Sequence, residues 1–291
     1  MISRGIFYIV TMTAILLLLG FITNFFCIIF NIDIRDNNFI GLLVLFALIG
    51  FGGSLISLYL SKYTVKKIMK VYVITNPTTQ TEKWLVETIR LLAIKKGVEM
   101  PEVGIYNSTE MNAFATGPSK NNSLVAVSTG LLDRMEQDEI EAVLGHEMSH
   151  VANGDMVTQC LLQGIINTFV YSLAYFIAGL LTSNKSNRRE HNDFMFYILN
   201  GILQTFFGLL GSLIVFWFSR IREYRADAGS ADIFGKEAMI KALLALKVQK
   251  VQPKPDSVKA LCINGVSSLS ELFMTHPPID KRIEALEKRS K

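Results

Sequence analysis

The segment Leu144-Gly145-His146-Glu147-Met148-Ser149-His150-Val151 is followed, from Val157 to Thr182, by a nearly unbroken apolar run, and these two stretches together set the architecture of the chain. On an α-helix a step of four residues leaves two side chains one turn apart and only about 40° apart around the axis. His146 and His150 are related in this way, so their imidazoles can grip one ion. Glu147, rotated by about 100° from His146, is too far round to ligate such an ion but close enough to reach a water on it. The plainer alternative is a pair of helical histidines meeting solvent. The pattern predicts a helix over Ile140 to Ala152, ended by Asn153-Gly154-Asp155. A bilayer core asks for about 20 apolar residues in a helix, and Val157 to Thr182 supplies them. A helix able to carry chemistry therefore opens onto a membrane span.

The composition agrees. Of 291 residues, 50% are hydrophobic and 19% charged, against about 25% charged in an ordinary soluble domain. So much apolar surface needs lipid, which excludes a disordered tail and an ordinary cytosolic enzyme. Three further stretches meet or approach spanning length: Gly5 to Phe30, Phe39 to Leu60 and Phe194 to Phe218. Arg4 precedes the first, as in a signal peptide, but the run is well beyond the usual core of about 7–15 residues and no small-residue cleavage site closes it. It reads as an anchor, paired with the second span through the polar loop Asn31 to Asn38. The expected organisation is a transmembrane hairpin over residues 1–60, a first catalytic segment over 61–156, a second hairpin over 157–218 and a closing catalytic segment over 219–291.

The net charge of +4 comes without a long basic block interleaved with aromatics, so nucleic acid is not an expected partner. Cys27, Cys160 and Cys262 are too scattered for a disulfide framework or a thiolate metal site. Gln159, Gln163 and Asn167 share one face of the third span, and Asn200 and Gln204 share one of the fourth. Amides are costly in hydrocarbon, so these faces should meet other helices or line a wet path. Lys62, Lys66, Lys67 and Lys70 follow the second span and Arg220, Arg222 and Arg225 the fourth, which places those flanks in the cytoplasm. Lys185, Arg188 and Arg189 argue the other way.

Within the polar segments, Thr79 to Lys96 has the stripe of an amphipathic helix, and Val103 to Tyr106, Asn112 to Thr116 and Leu124 to Ser128 read as strands, the last two joined by a turn over Gly117 to Asn122. A catalytic metal site needs a third protein ligand. Just after the fourth span, Glu223 and Asp227 stand four residues apart on one helical face. Glu223 could ligate the ion and Asp227 could accept the N–H of a ligating histidine. The alternative for the pair is a solvated face or partners for Arg222 and Arg225. If the third and fourth spans form a hairpin, His150 and Glu223 emerge on the same side of the bilayer.

Taken together, the His146-Glu147-Met148-Ser149-His150 helix, Glu223-Tyr224-Arg225-Ala226-Asp227, the strand Asn112-Ala113-Phe114-Ala115-Thr116-Gly117 and Thr275-His276-Pro277-Pro278 resemble the HtpX family of membrane-bound zinc metalloproteases, relatives of the CAAX prenyl proteases. The resemblance covers nearly the whole chain. It implies a four-span α-helical membrane anchor bearing an α+β, gluzincin-like metallopeptidase domain, sited in the inner membrane with its catalytic face in the cytoplasm. It also implies cleavage of misfolded or damaged membrane proteins in a stress response. Residue by residue, it implies one Zn2+ on His146, His150 and Glu223, and general-base chemistry at Glu147. Asn112, Ala113, Phe114, Ala115 and Thr116 would be an edge strand to which an extended substrate adds, or an ordinary sheet strand. His276, held by two prolines, would face a developing oxyanion, or be a packed or surface histidine. Rival functions are a CAAX prenyl-type protease, which four spans could scarcely enclose, and a transporter or channel with a regulatory metal site. The expected partners are membrane-protein substrates and the lipid bilayer, with the oligomeric state left open.

Overall fold

The computed structural model describes residues 39–182, 189–251 and 276–289. The first expected span, Gly5 to Phe30, lies outside the described residues. The chain divides into two compact units, one of residues 1–57 and 160–215 and the other of residues 58–159 and 216–291. Most of the described chain is helical.

Helix α1 (Phe39–Ile68) has no turn residue strong enough to break it and carries Lys66 and Lys67 in its last turn, where cations suit the helix dipole. After the two-residue strand β1 (Tyr72–Val73), α2 (Gln80–Lys96) opens with a capping box between Thr79 and Glu82. It buries Leu85, Ile89, Leu92 and Ala93, the stripe expected from its periodicity, while Trp84 is only partly covered. Strands β2 (Glu102–Tyr106), β3 (Ala113–Ser119) and β4 (Asn122–Ser128) complete a four-stranded sheet in the order β1-β2-β4-β3. β4 pairs parallel to β2 and antiparallel to β3, which leaves β3 as an edge strand. Asn112 itself precedes β3. Tyr106 Oη and the Ser128 N–H donate to its carbonyl, and its own N–H donates to Ser128 Oγ.

A short helix α3 (Thr129–Arg134) leads to α4 (Gln137–Asn153), whose buried Leu144, Met148 and Val151 join β4, α2 and the later Met239, Ala242 and Leu243 in one core. Gly154 closes α4 with φ 66°, a left-handed conformation natural to glycine. The chain then re-enters helix at once as α5 (Asp155–Thr182). The fourth apolar stretch does not stop near Phe218. It belongs to a 46-residue helix, α6 (Arg189–Phe234), that carries Glu223 and Asp227 as well. Helix α7 (Lys236–Val251) follows, and α8 (Ile279–Glu287) closes the described chain.

Among the described residues, Gly41–Ile68, Asp155–Thr182 and Phe194–Phe234 are long and apolar enough to cross a membrane. At 1.5 Å per residue even 28 residues of helix extend about 42 Å, more than the hydrocarbon core. In this unit the helices bury a narrow seam and turn their large side chains outward. Ile166, Val170 and Val215 are buried, while Phe169 is 65% and Phe206 53% exposed. Gly50 allows the close approach of α1 to α5, since a Cβ there would lie 2.6 Å from Thr168 Oγ1. The amide face of α5 is satisfied at short range: Gln163 Nε2 donates to Asn167 Oδ1 at 2.8 Å, and Arg222 donates to Gln159 Oε1.

Candidate metal centre

Helix α4 presents His146 and His150 as the one-turn spacing requires, with ring centroids 4.7 Å apart and Nε2 atoms 3.1 Å apart. Helix α6 brings Glu223 to them across a gap of more than seventy residues in sequence. Its Oε1 lies 3.4 Å from His150 Nε2 and its Oε2 3.6 Å from His146 Nε2. Donors bound to one tetrahedral ion at ~2.0–2.1 Å are themselves about 3.3–3.4 Å apart. The three observed separations of 3.1, 3.4 and 3.6 Å bracket that value. Glu147, the next residue on the same helix, is partly buried, and its charge acts on His150.

The remaining ring nitrogens are accounted for. His146 Nδ1 is 2.9 Å from Asp227 Oδ1, and His150 Nδ1 is 2.6 Å from Asp155 Oδ2. Each carboxylate accepts the Nδ1–H and leaves the Nε2 lone pair facing the cluster, which fixes the tautomer a metal ligand needs. Asp155 was not singled out by the sequence beyond its place at a helix end. Its nearness to the histidine pair, across the Gly154 break, was the available signal.

Two cationic or ionisable groups from the C-terminal segment complete the site. Arg282 on α8 is buried and forks onto Asp227, with Nε to Oδ2 at 2.7 Å and Nη2 to Oδ1 at 2.5 Å. Its Nη1 lies 3.3 Å from Glu223 Oε2. His276, with a side chain 62% exposed, places Nδ1 2.9 Å from the same oxygen. Despite these neighbours Glu223 Oε2 is buried and accepts no hydrogen bond of ordinary geometry. A buried carboxylate oxygen in that condition fits a cation ligand. The electrostatics point the same way. Burial disfavours the charged form of His150, but the carboxylates of Asp155 and Glu223 outweigh it and lift its pKa to about 10, as expected of a pocket whose negative charge favours a bound cation.

Comparison with known proteins now decides the family. Residues 79–290 match the model of peptidase family M48. The chain belongs to that family. Relatives named Protease HtpX include one from Shewanella pealeana, 55% identical over 84% of this chain and 88% of its own length. Another, from Xanthomonas campestris pv. campestris, is 48% identical over 98% and 97% respectively. The crystal structure of S. mikatae Ste24p has a TM-score of 0.71 to this M48 peptidase at 20% identity, covering 98% of this chain and 66% of that one. The last likeness is one of fold. With its long apolar helices, the M48 chain is a membrane metalloprotease, which removes the transporter or channel reading.

Proposed function

We propose that the chain is a zinc endopeptidase of a multi-pass membrane anchor, with Zn2+ held by His146, His150 and Glu223. The observation that carries this reading is the convergence of three donor atoms from α4 and α6 at separations suited to one tetrahedral ion. When bound, zinc polarises the scissile carbonyl and brings the pKa of water toward about 7. Glu147 takes the proton from the attacking water and passes it to the leaving amine. Asp227 and Asp155 hold His146 and His150 in the ligating tautomer. His276 donates to the oxyanion side of the tetrahedral species from its exposed position beside Glu223. An extended substrate adds along the edge strand at Ala113, Phe114, Ala115 and Thr116, whose start is fixed by the fully used main chain of Asn112.

In this reading Gly5 to Phe30 supplies a fourth span and the metal centre faces the cytoplasm from the inner membrane, because the lysines after α1's span and the arginines after that of α6 favour that side. The substrates are misfolded or damaged membrane proteins. Metal analysis of the purified protein should return about one zinc per chain, with casein hydrolysis abolished by a chelator and both lost in His150→Ala. Glu147→Gln should keep the zinc and lose cleavage. Cleavage that survives chelation would overturn the proposal. Preference for a prenylated CAAX peptide over an unfolded membrane protein would replace the substrate class and leave the metal chemistry intact.

A further inference from the structure

We propose that Arg282 is a positioning residue of the metal centre, acting through Asp227 on His146 and thereby making the docked C-terminal helix a structural part of the metal site. The inference rests on the metal reading above and adds to it a residue outside the ligand set and outside the histidine-orienting carboxylates.

Most of the guanidinium's polar contacts fall on Asp227. Arg282 is buried, Nε and Nη2 meet the two oxygens of Asp227, Nη2 also lies 3.4 Å from His146 Nδ1, and Nη1 lies 3.3 Å from Glu223 Oε2. A fork on a carboxylate fixes the carboxylate plane, which a single-point contact does not. Asp227 Oδ1 is therefore held where His146 Nδ1 meets it at 2.9 Å. The helix that carries the fork is itself tied along α6 and to α7. Arg289 donates to the Ala228 carbonyl at 2.7 Å and pairs with Asp232 at 2.9 Å, Lys247 pairs with Asp280 at 2.5 Å, and Leu286 is buried. Arg282 is thus aimed by contacts on both sides of it in sequence.

The charge and the fork have opposite consequences for metal affinity, so the sign of one measurement separates them. A guanidinium beside the ligands repels a divalent cation. If Arg282 contributed only charge, or only packing, its neutral replacement would bind metal as well as or better than the native protein. If it positions Asp227, the replacement binds less well, as when an orienting partner of a metal ligand is lost, by about 10–100-fold.

The test uses the full-length protein in detergent micelles, with zinc affinity measured by competition against a chromophoric chelator. Melting temperature in excess chelator is a separate readout of the fold. Arg282→Met is expected to bind zinc at least tenfold less tightly than the native chain. Arg282→Lys, which keeps the charge and loses the fork, is expected to remain weaker than native by several-fold. In a double-mutant cycle with Asp227→Asn, the two changes together should weaken zinc no more than the larger single change, since they interrupt one chain of contacts. Native affinity in both Arg282 variants, tighter binding in Arg282→Met, or additive losses in the cycle would overturn the inference. Should Arg282→Met fail to fold, Arg282→Lys alone decides it. Failure of the native protein to bind zinc would defeat the metal reading instead, which keeps the two failures apart.

Discussion

Helices α4 and α5 are separated by the single residue Gly154, yet they answer to different solvents. α4 is enclosed by protein: Leu144, Met148 and Val151 are fully buried, and even His146 and Ser149 are nearly so. α5 buries Ile166, Val170, Ala174 and Ala178 at steps of four and leaves Phe169, Phe176 and Leu180 more than half exposed. On α4 the polar groups define the helix, because each buried nitrogen or hydroxyl must find a partner. Ser149 Oγ donates to the Gly145 carbonyl and each histidine has a carboxylate. On α5 the apolar exterior defines it, and polar groups are tolerated where they bond locally, as Gln163 does to Asn167. The same backbone geometry is thus specified by satisfaction in one case and by solvent in the other.

That contrast is broken most forcibly by putting a charge on the outward face of α5. Phe169→Arg, near the middle of the span, should cost about 2.5–3.5 kcal/mol in membrane insertion while leaving His146, His150 and Glu223 untouched. The fraction of protein resisting carbonate extraction from membranes measures it. Full insertion of this variant would show that Phe169 does not face lipid. The converse substitution acts on the polar side of Gly154. Asp155→Asn keeps the shape and removes the charge that faces His150, and should weaken zinc binding about 10–100-fold with insertion unchanged. Equal zinc affinity in a chelator competition would show that Asp155 serves only the helix start.

A third change tests how tightly α4 is enclosed. A Cβ on Gly145 would lie 2.7 Å from Ser230 Oγ and 3.0 Å from a ring carbon of Phe234, and Ser230 Oγ itself donates to the Ala142 carbonyl. Gly145→Ala gains helix propensity but must separate α4 from α6, so a net loss of about 1 kcal/mol is expected in denaturant unfolding. Gly179 on α5 has open space at its Cβ position, and Gly179→Ala should be neutral or stabilising. If both alanines behave alike, close packing is not what distinguishes the two helices.

Much of this was legible in the sequence where a pattern repeats. The stripe of Leu85, Ile89 and Leu92 and the one-turn spacing of His146 and His150 each depend on a period that several residues share. The misses fall where a single residue decides. Gly154 breaks the helix for one position only, so the third apolar helix begins at Asp155, two residues before the apolar run. Nothing from Phe218 to Glu223 is a breaker, so α6 continues straight through the expected end of the span. β1 is two residues long and has no period to read. Arg282 is one of two adjacent basic residues in Ile279–Glu287, and only the folded chain shows that it is the one turned inward. Glu223 stands out in the sequence because a second acidic residue four positions on gives it a face.

The smallest expected effect lies where α1 leaves its apolar stretch and a charged contact holds it to the sheet. Glu102 on β2 meets Lys62 Nζ at 2.9 Å and also pairs with Lys66. Burial raises the carboxyl pKa of Glu102, but hydrogen bonds and charge from Lys66 and Lys62 outweigh it and hold the value below the ordinary glutamate range. A carboxyl depressed in the folded state contributes stability that is present above its unfolded pKa of about 4.3 and is lost as pH falls through the folded value. The Glu102 side chain is 38% exposed, so solvent screening confines the contribution to less than about 1 kcal/mol. Glu102→Gln should therefore lower the melting temperature slightly at pH 7. The gap between the two proteins should shrink as the pH is taken below 4 and narrow again with added salt at neutral pH. A gap that persists unchanged in acid would mean that the glutamate holds α1 by packing and not by charge, and the rule that protein-facing helices are fixed by satisfied polar groups would then stop short of this junction.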